Sequence, residues 1–247
     1  MSSLFFEKSD IRHWLPKLQS HRGYRPTGVV ENTLSSVKQA YKMNYKMVEF
    51  DVRLTSDGFL ILHHDPAIES ALIEKTDLDA LKKFKAIDTL EDVFAWLVSI
   101  KDLSFKLNVE LKSRSIVDGT FEKKTCELIK KYRLVNQVMV SSFNPMSLGW
   151  VRFYTPKVYR ALLLTFEKEK GNSFLIKKMI LNRLARPHVL NLRYQDWILE
   201  KFLPVLEQVP VVLWTCNDLQ IFEKNKDNIY GIISDEITPQ MFKEKNN

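Results

Sequence analysis

Glycine is scarce in this chain, 7 of 247 residues, about 3% against a usual ~7%. No GxGxxG or GxxxxGK loop occurs, which removes the usual signature of an open-sheet nucleotide fold. Cysteine is nearly absent too. Cys126 and Cys216 stand in unrelated contexts without metal-type spacing, which excludes a disulfide framework or a zinc ribbon and fits a reducing compartment. The longest apolar stretch, Phe94 to Ile100, falls far short of the ~18 residues that cross a bilayer. The start, MSSLFFEKSD, has no basic region leading into an apolar one, so no secretory signal is expected and a cytoplasmic location is. Net charge is +7, yet no run of five basic residues occurs. A solvated basic surface is therefore expected, with no nucleic-acid partner.

What is present is an ordinary globular composition, 45% hydrophobic and 27% charged. With no repeat and no linker, one domain over residues 1–247 is expected. Short apolar runs alternate with helical patterns. The expected strands are Lys17–His21, Met47–Arg53, Phe59–His63, Lys106–Lys112, Gln137–Ser141, Val158–Leu164, His188–Leu192, Val211–Trp214 and Tyr230–Ser234. The expected helices are Asn32–Met43, one starting at Thr89 with Asp92 three residues on, and others near 117–132, 145–154, 173–185, 195–207 and 217–225. Thr55-Ser56-Asp57-Gly58 is a turn too short for a parallel crossover, so Phe59–His63 must return antiparallel. Eight strands remain. Length and count agree on an α/β (β/α)8 barrel with a small hairpin excursion after its second strand.

The polar clusters fall at the ends of these strands. Glu49 and Asp51 lie two apart on a strand and so project to one face. Val48, Phe50 and Val52 would occupy the other, helix-packed face and turn both carboxylates inward. Like charges buried there need a cation, and oxygen ligands favour Mg²⁺ or Ca²⁺; an exposed acidic strand is the alternative. Glu110 and Lys112 share a face on a later strand, as a third ligand with a phosphate-binding charge or as a plain ion pair. His21-Arg22-Gly23 ends the first strand, and the hairpin returns His63-His64-Asp65 to the same rim, a plausible acid/base pair. Ser141-Ser142-Phe143, Trp214-Thr215-Cys216-Asn217 and Gly231-Ile232-Ile233-Ser234-Asp235 reach that rim as well. Such parts suit metal-assisted phosphoryl transfer.

In this order, His21-Arg22-Gly23, Glu31-Asn32-Thr33, Glu49-Phe50-Asp51-Val52, Thr55, Asp57-Gly58 and His64-Asp65 resemble the signature of the glycerophosphodiester phosphodiesterase family. Thr89-Leu90-Glu91, Glu110-Leu111-Lys112, Ser141-Ser142-Phe143, Trp214-Thr215 with Asn217, and Gly231-Ile232-Ile233 continue it, so the resemblance runs from about residue 18 to 237. The short stretch from Asp65 to Glu110 is similar to the compact, cytosolic bacterial type. The resemblance implies a (β/α)8 barrel that hydrolyses glycerophosphodiesters to glycerol 3-phosphate and an alcohol. It implies Glu49, Asp51 and Glu110 as ligands of one divalent ion, Mg²⁺ or Ca²⁺, and His21 and His64 as acid and base. Arg22 and Lys112 would bind phosphate oxygens, Trp214 would face substrate, and Glu31 and Asn32 would start the first helix and orient the site. Attack by the neighbouring glycerol hydroxyl, through a cyclic phosphate, is the implied route. The sequence departs from the pattern at the polar Lys17-Leu18-Gln19-Ser20, at Ser234 for Thr, and at Glu236-Ile237 where proline is usual. Two alternatives are a lysophospholipase-D-like enzyme, with Phe59, Phe143 and Trp214 lining an apolar slot, and a non-catalytic barrel binding phosphorylated ligands. The partner expected is a small-molecule substrate; headgroup and oligomeric state stay open.

Overall fold

The computed structural model describes residues 5–7, 11–166, 182–198 and 208–244. Its strands are β1 (Leu18–Ser20), β2 (Met47–Leu54), β3 (Leu60–Leu62), β4 (Ala67–Ile68), β5 (Ala71–Leu72), β6 (Lys106–Leu111), β7 (Val138–Ser142), β8 (Tyr159–Leu164), β9 (Val189–Arg193), β10 (Val211–Trp214) and β11 (Gly231–Ser234). Its helices are α1 (Leu34–Lys42), α2 (Leu78–Lys82), α3 (Leu90–Ile100), α4 (Thr120–Lys131), α5 (Pro145–Tyr154), α6 (Asn182–Ala185), α7 (Leu219–Asn225) and α8 (Pro239–Glu244). Of the helix expected over 173–185, residues 173–181 lie outside the described residues, and Asn182–Ala185 is helical. Of the one expected over 195–207, residues 199–207 lie outside them. A 3₁₀ turn occupies Tyr194–Asp196 instead of an α-helical start.

Eight strands pair in parallel in the order β1, β11, β10, β9, β8, β7, β6, β2, and β1 pairs with β2 to close the ring. This is the (β/α)8 barrel expected. Strand β2 runs past the ring, and β3 folds back on its extension, with Val52 opposite Leu62 and Leu54 opposite Leu60. The amide of Thr55 donates to the Phe59 carbonyl at 2.9 Å to close the turn. Unexpected additions are the tiny β4–β5 hairpin and α2, which fill the passage from the hairpin to α3.

Alternation fixes which residues face which layer. Val48, Phe50 and Val52 pack with Leu90, Val93, Phe94 and Leu97 of α3 in the layer between ring and helices. Met47, on the opposite parity, joins Met139, Ala161, Val189, Val212 and Ile233 inside the ring. A one-residue slip of β2 would drive Glu49 and Asp51 into the helix layer, so burial locks the register. Residues 11–15, which the strand pattern left unassigned, floor the barrel with Ile11 and Leu15. The polar β1 also finds its reason: Gln19 faces inward and accepts a hydrogen bond from Asn108 Nδ2 at 2.9 Å. Next to it, a Cβ at Gly231 would sit 2.3 Å from the Lys17 carbonyl, so only glycine lets β1 and β11 close the seam. Capping boxes at Thr33–Ser36 and Thr89–Asp92 start α1 and α3.

On the outer side of β8, Arg160 is fully buried. Its guanidinium donates to the carbonyls of Ala185 at 3.0 Å and Arg186 at 3.1 Å, tying β8 to the end of α6. The Arg160 amide donates to Nδ1 of His188 at 3.1 Å, which requires that nitrogen to be unprotonated. Burial, then the Arg160 charge, push the His188 pKa down to about 3. The unfolded chain binds a proton near pH 6.5 that the folded chain refuses, so stability falls as pH drops from 6.5 towards 3. Replacing His188 with Gln should flatten that acid limb by about one proton, roughly 1.4 kcal/mol per pH unit. Urea unfolding in EDTA across pH 4–6.5 reads it; an unchanged slope would contradict the buried neutral imidazole.

Candidate active site

The barrel mouth gathers the carboxylates. Asp51 stands opposite Glu110 across the β2–β6 pairing, and Glu49 opposite Asn108. Oxygens of Glu49, Asp51 and Glu110 lie within 4.8 Å of one another, and all three side chains are buried. Lys112 sits among them: its Nζ is 2.8 Å from Asp51 Oδ1 and 2.6 Å from Glu110 Oε1. The ion-pair reading of Glu110 and Lys112 is therefore realised, and Asp51 is drawn into it.

Electrostatics divides the three acids. Burial, then Asp51, push Glu49 up to about 8. Burial raises Glu110 as well, only partly offset by Lys112. Burial also acts on Asp51, but Lys112 and Arg22 outweigh it and hold that carboxyl well below the usual range. Asn32 completes the grip on Asp51: its Nδ2 donates to Oδ2 and its Oδ1 accepts from the Asp51 amide, both at 2.8 Å. Glu49 Oε2 accepts from the Arg22 amide at 3.0 Å, while its buried Oε1 has no hydrogen-bond partner among the described residues. Three crowded carboxylates with an unpartnered oxygen fit a hard divalent cation.

The histidines flank this cluster. The His21 amide donates to the Ser234 carbonyl, which anchors the residue at the end of β1. Its Nδ1 is 2.9 Å from Asp235 Oδ1, so Nδ1 carries the proton, and its Nε2 is 4.0 Å from Glu49 Oε2. Burial lowers the His21 pKa, but Asp235 and Glu49 together raise it above the ordinary value. His64 follows the return of β3, where the His63 amide donates to the Asp51 carbonyl at 3.1 Å. Its Nδ1 is 2.8 Å from Asp65 Oδ1; burial and the Lys112 charge lower its pKa. Each imidazole thus has Nδ1 held by its own carboxylate. His63 turns away, towards the Ala67 carbonyl and Lys85.

Arg22 adopts a left-handed backbone, φ 53°, followed by Gly23 at φ 84°. A Cβ at Gly23 would lie 2.3 Å from Ser36 Oγ, so the tight turn against α1 requires glycine. The turn directs Arg22 Nη1 to Glu31 at 2.7 Å and Nε to Asp51 at 3.3 Å. Glu31 contacts Arg22 and Asn32 contacts Asp51, whereas Thr33 is the residue that caps α1. Trp214 lies further along the rim, edge-on to Phe143 with centroids 5.4 Å apart, and Lys112 lies 5.9 Å over Phe143. Its indole N–H is spent on the Asn191 carbonyl, leaving an apolar surface. Two functional candidates carried no role in the sequence pattern, Arg25 and Asp235; the only signal was that Asp235 ends the last strand cluster. Asn217 Oδ1 accepts from both the Asp235 amide and Ser234 Oγ at 2.9 Å. Ser234 Oγ in turn accepts from the Ile237 amide at 3.0 Å, a bond that a proline there would not supply.

The family model described as the glycerophosphoryl diester phosphodiesterase family matches residues 21–238. A glycerophosphodiester phosphodiesterase of Caldanaerobacter subterraneus is 32% identical over 161 residues, 58% of this chain and 65% of that protein. The match thus spans just under two thirds of that relative's length. A solved glycerophosphodiester phosphodiesterase from Parabacteroides distasonis superposes with a TM-score of 0.74 at 22% identity, covering 94% of this chain and 98% of that one. A phosphodiesterase from Oleispira antarctica, solved with its product sn-glycerol-3-phosphate, gives 0.72 at 21%, covering 94% and 97%. The solved structures share the fold, and the match over residues 21–238 carries the assignment: the chain belongs to the glycerophosphoryl diester phosphodiesterase family.

Proposed function

We propose that this protein hydrolyses glycerophosphodiesters to glycerol 3-phosphate and an alcohol. The observation that carries the proposal is the pair of imidazoles, each with Nδ1 tied to a carboxylate, beside three buried carboxylates. The names of its relatives, and the product bound in the Oleispira structure, support the substrate class. Glu49, Asp51 and Glu110 would hold one divalent ion, Mg²⁺ or Ca²⁺. Such an ion, when bound, supplies charge neutralisation and polarisation of the phosphoryl oxygens.

The chain's own residues do the rest. An ammonium has three donors, and Lys112 spends two on Asp51 and Glu110, leaving one for a phosphate oxygen. Arg22 keeps guanidinium donors beyond those facing Glu31 and Asp51 for another. One histidine Nε2 takes the proton of the glycerol hydroxyl as its oxygen attacks phosphorus. The other gives a proton to the departing alcohol as the P–O bond breaks. Water then opens the cyclic phosphate with the two roles exchanged. Fixing Nδ1 on Asp235 and Asp65 aims each Nε2 without rotamer search, the positioning on which such catalysis depends. Phe143 and Trp214 form an apolar wall for the leaving alcohol.

A second substrate class, lysophospholipids, is favoured by one observation. Ile116 and Val117, on the loop leaving β6 at the barrel mouth, are 64% and 83% exposed and could meet an acyl chain. Among the described residues no helix is long and apolar enough to cross a membrane. Both cysteines are free and buried, which supports a cytoplasmic setting.

His64→Ala should lower release of glycerol 3-phosphate from glycerophosphocholine at least about 10²-fold, the scale of a lost general acid or base. The variant should keep the wild-type rise in melting temperature on adding millimolar Mg²⁺ or Ca²⁺. Glu49→Gln should lose both activity and that rise. An active His64→Ala would refute the acid/base pair, and an undiminished metal shift in Glu49→Gln would refute the ligand set. Lysophosphatidylcholine run beside glycerophosphocholine separates the two substrate classes by rate.

A further inference from the structure

Arg25 has no part in the motifs that define the site, yet it stands between two of them. Its Nη1 is 2.5 Å from Glu31 Oε2, and its Nη2 meets Asp235 Oδ1. Glu31 uses its other oxygen, Oε1, to hold Arg22 at 2.7 Å. Asp235 uses the same Oδ1 to hold His21 Nδ1 at 2.9 Å. One guanidinium therefore joins the carboxylate that orients the phosphate-binding arginine to the carboxylate that orients the histidine. The planar fork of arginine can serve two carboxylates at once, which a lysine point charge does poorly.

The loop that presents Arg25 is itself tied down. The Gly23 amide donates to the Glu49 carbonyl at 3.2 Å, Tyr24 to Ser36 at 3.0 Å, and Asn32 to Arg22 at 3.0 Å. Pro26 follows immediately and restricts Arg25 to extended backbone. At the other end, Asn217 fixes the Asp235 backbone. The Arg25 side chain is 30% exposed at the rim, so its removal leaves the core untouched.

We propose that Arg25 is a positioning residue of this site, holding His21 through Asp235 and Arg22 through Glu31 as one unit. The catalytic consequence rests on the phosphodiesterase reading above; the geometric one does not. Without Arg25, Asp235 and Glu31 are free to swing into solvent. His21 then loses the acceptor that keeps its proton on Nδ1 and its Nε2 open.

Two readouts test this. In ¹⁵N-histidine NMR above pH 9, the wild-type His21 signal should report the Nδ1–H tautomer. Arg25→Gln and Asp235→Ala should both move it towards Nε2–H. In steady-state kinetics with glycerophosphocholine and Mg²⁺, Arg25→Gln should lower kcat about 10- to 100-fold with KM changed less than about threefold. Arg25→Lys should recover part of that loss. Added to a Glu31→Gln/Asp235→Ala background, Arg25→Gln should cost no more than about a further twofold, because both carboxylates through which it acts are already lost. An unchanged tautomer in Arg25→Gln, or an undiminished Arg25→Gln loss in the background lacking both carboxylates, would overturn the proposal. If wild type turns over no glycerophosphodiester, the phosphodiesterase reading fails, while the tautomer still decides whether Arg25 positions His21.

Discussion

Three carboxylates crowded inside a barrel are the constraint from which the rest of the mouth follows. Glu49, Asp51 and Glu110 are buried within 4.8 Å of one another, where like charges repel and water is scarce. Around Asp51 the chain answers with an ammonium, a guanidinium and an asparagine that matches both side chain and backbone. Around Glu49 it offers less, one amide, and the carboxyl is raised to about 8. The cluster is thus incompletely neutralised by protein alone. That imbalance is the physical reason to expect a divalent ion, since a core built only for stability would have used apolar residues there.

The same crowding explains the backbone of the first loop. Arg22 brings its amide to Glu49 and its side chain to Asp51 and Glu31 from a left-handed backbone. Gly23 continues the turn because α1 passes too close for a side chain. Strain and glycine are spent where the chain has to fold around charge.

Much of this was legible in the sequence, because strand periodicity carries it. Val48, Phe50 and Val52 fixed the outward face of β2, which turned Glu49 and Asp51 inward, and the short Thr55–Gly58 turn forced the antiparallel return that delivers His64. What stayed hidden depends on contacts between distant segments. Asp235 and His21 are 214 residues apart, and Arg25 reaches Asp235 only after a left-handed turn that no spacing rule encodes. The barrel floor at residues 11–15 was invisible because a single short plug has no period. The polar β1 looked irregular until Gln19 met Asn108 across the interior, a pairing of two buried side chains 89 residues apart.

The most direct test of the account is a ³¹P NMR time course of glycerophosphocholine with the wild-type protein, first in EDTA and then with Mg²⁺ restored in excess. The account predicts an unchanged diester resonance in EDTA, and conversion to glycerol 3-phosphate and no other phosphomonoester once the ion is present. Conversion in EDTA, or phosphocholine as the product, would contradict it.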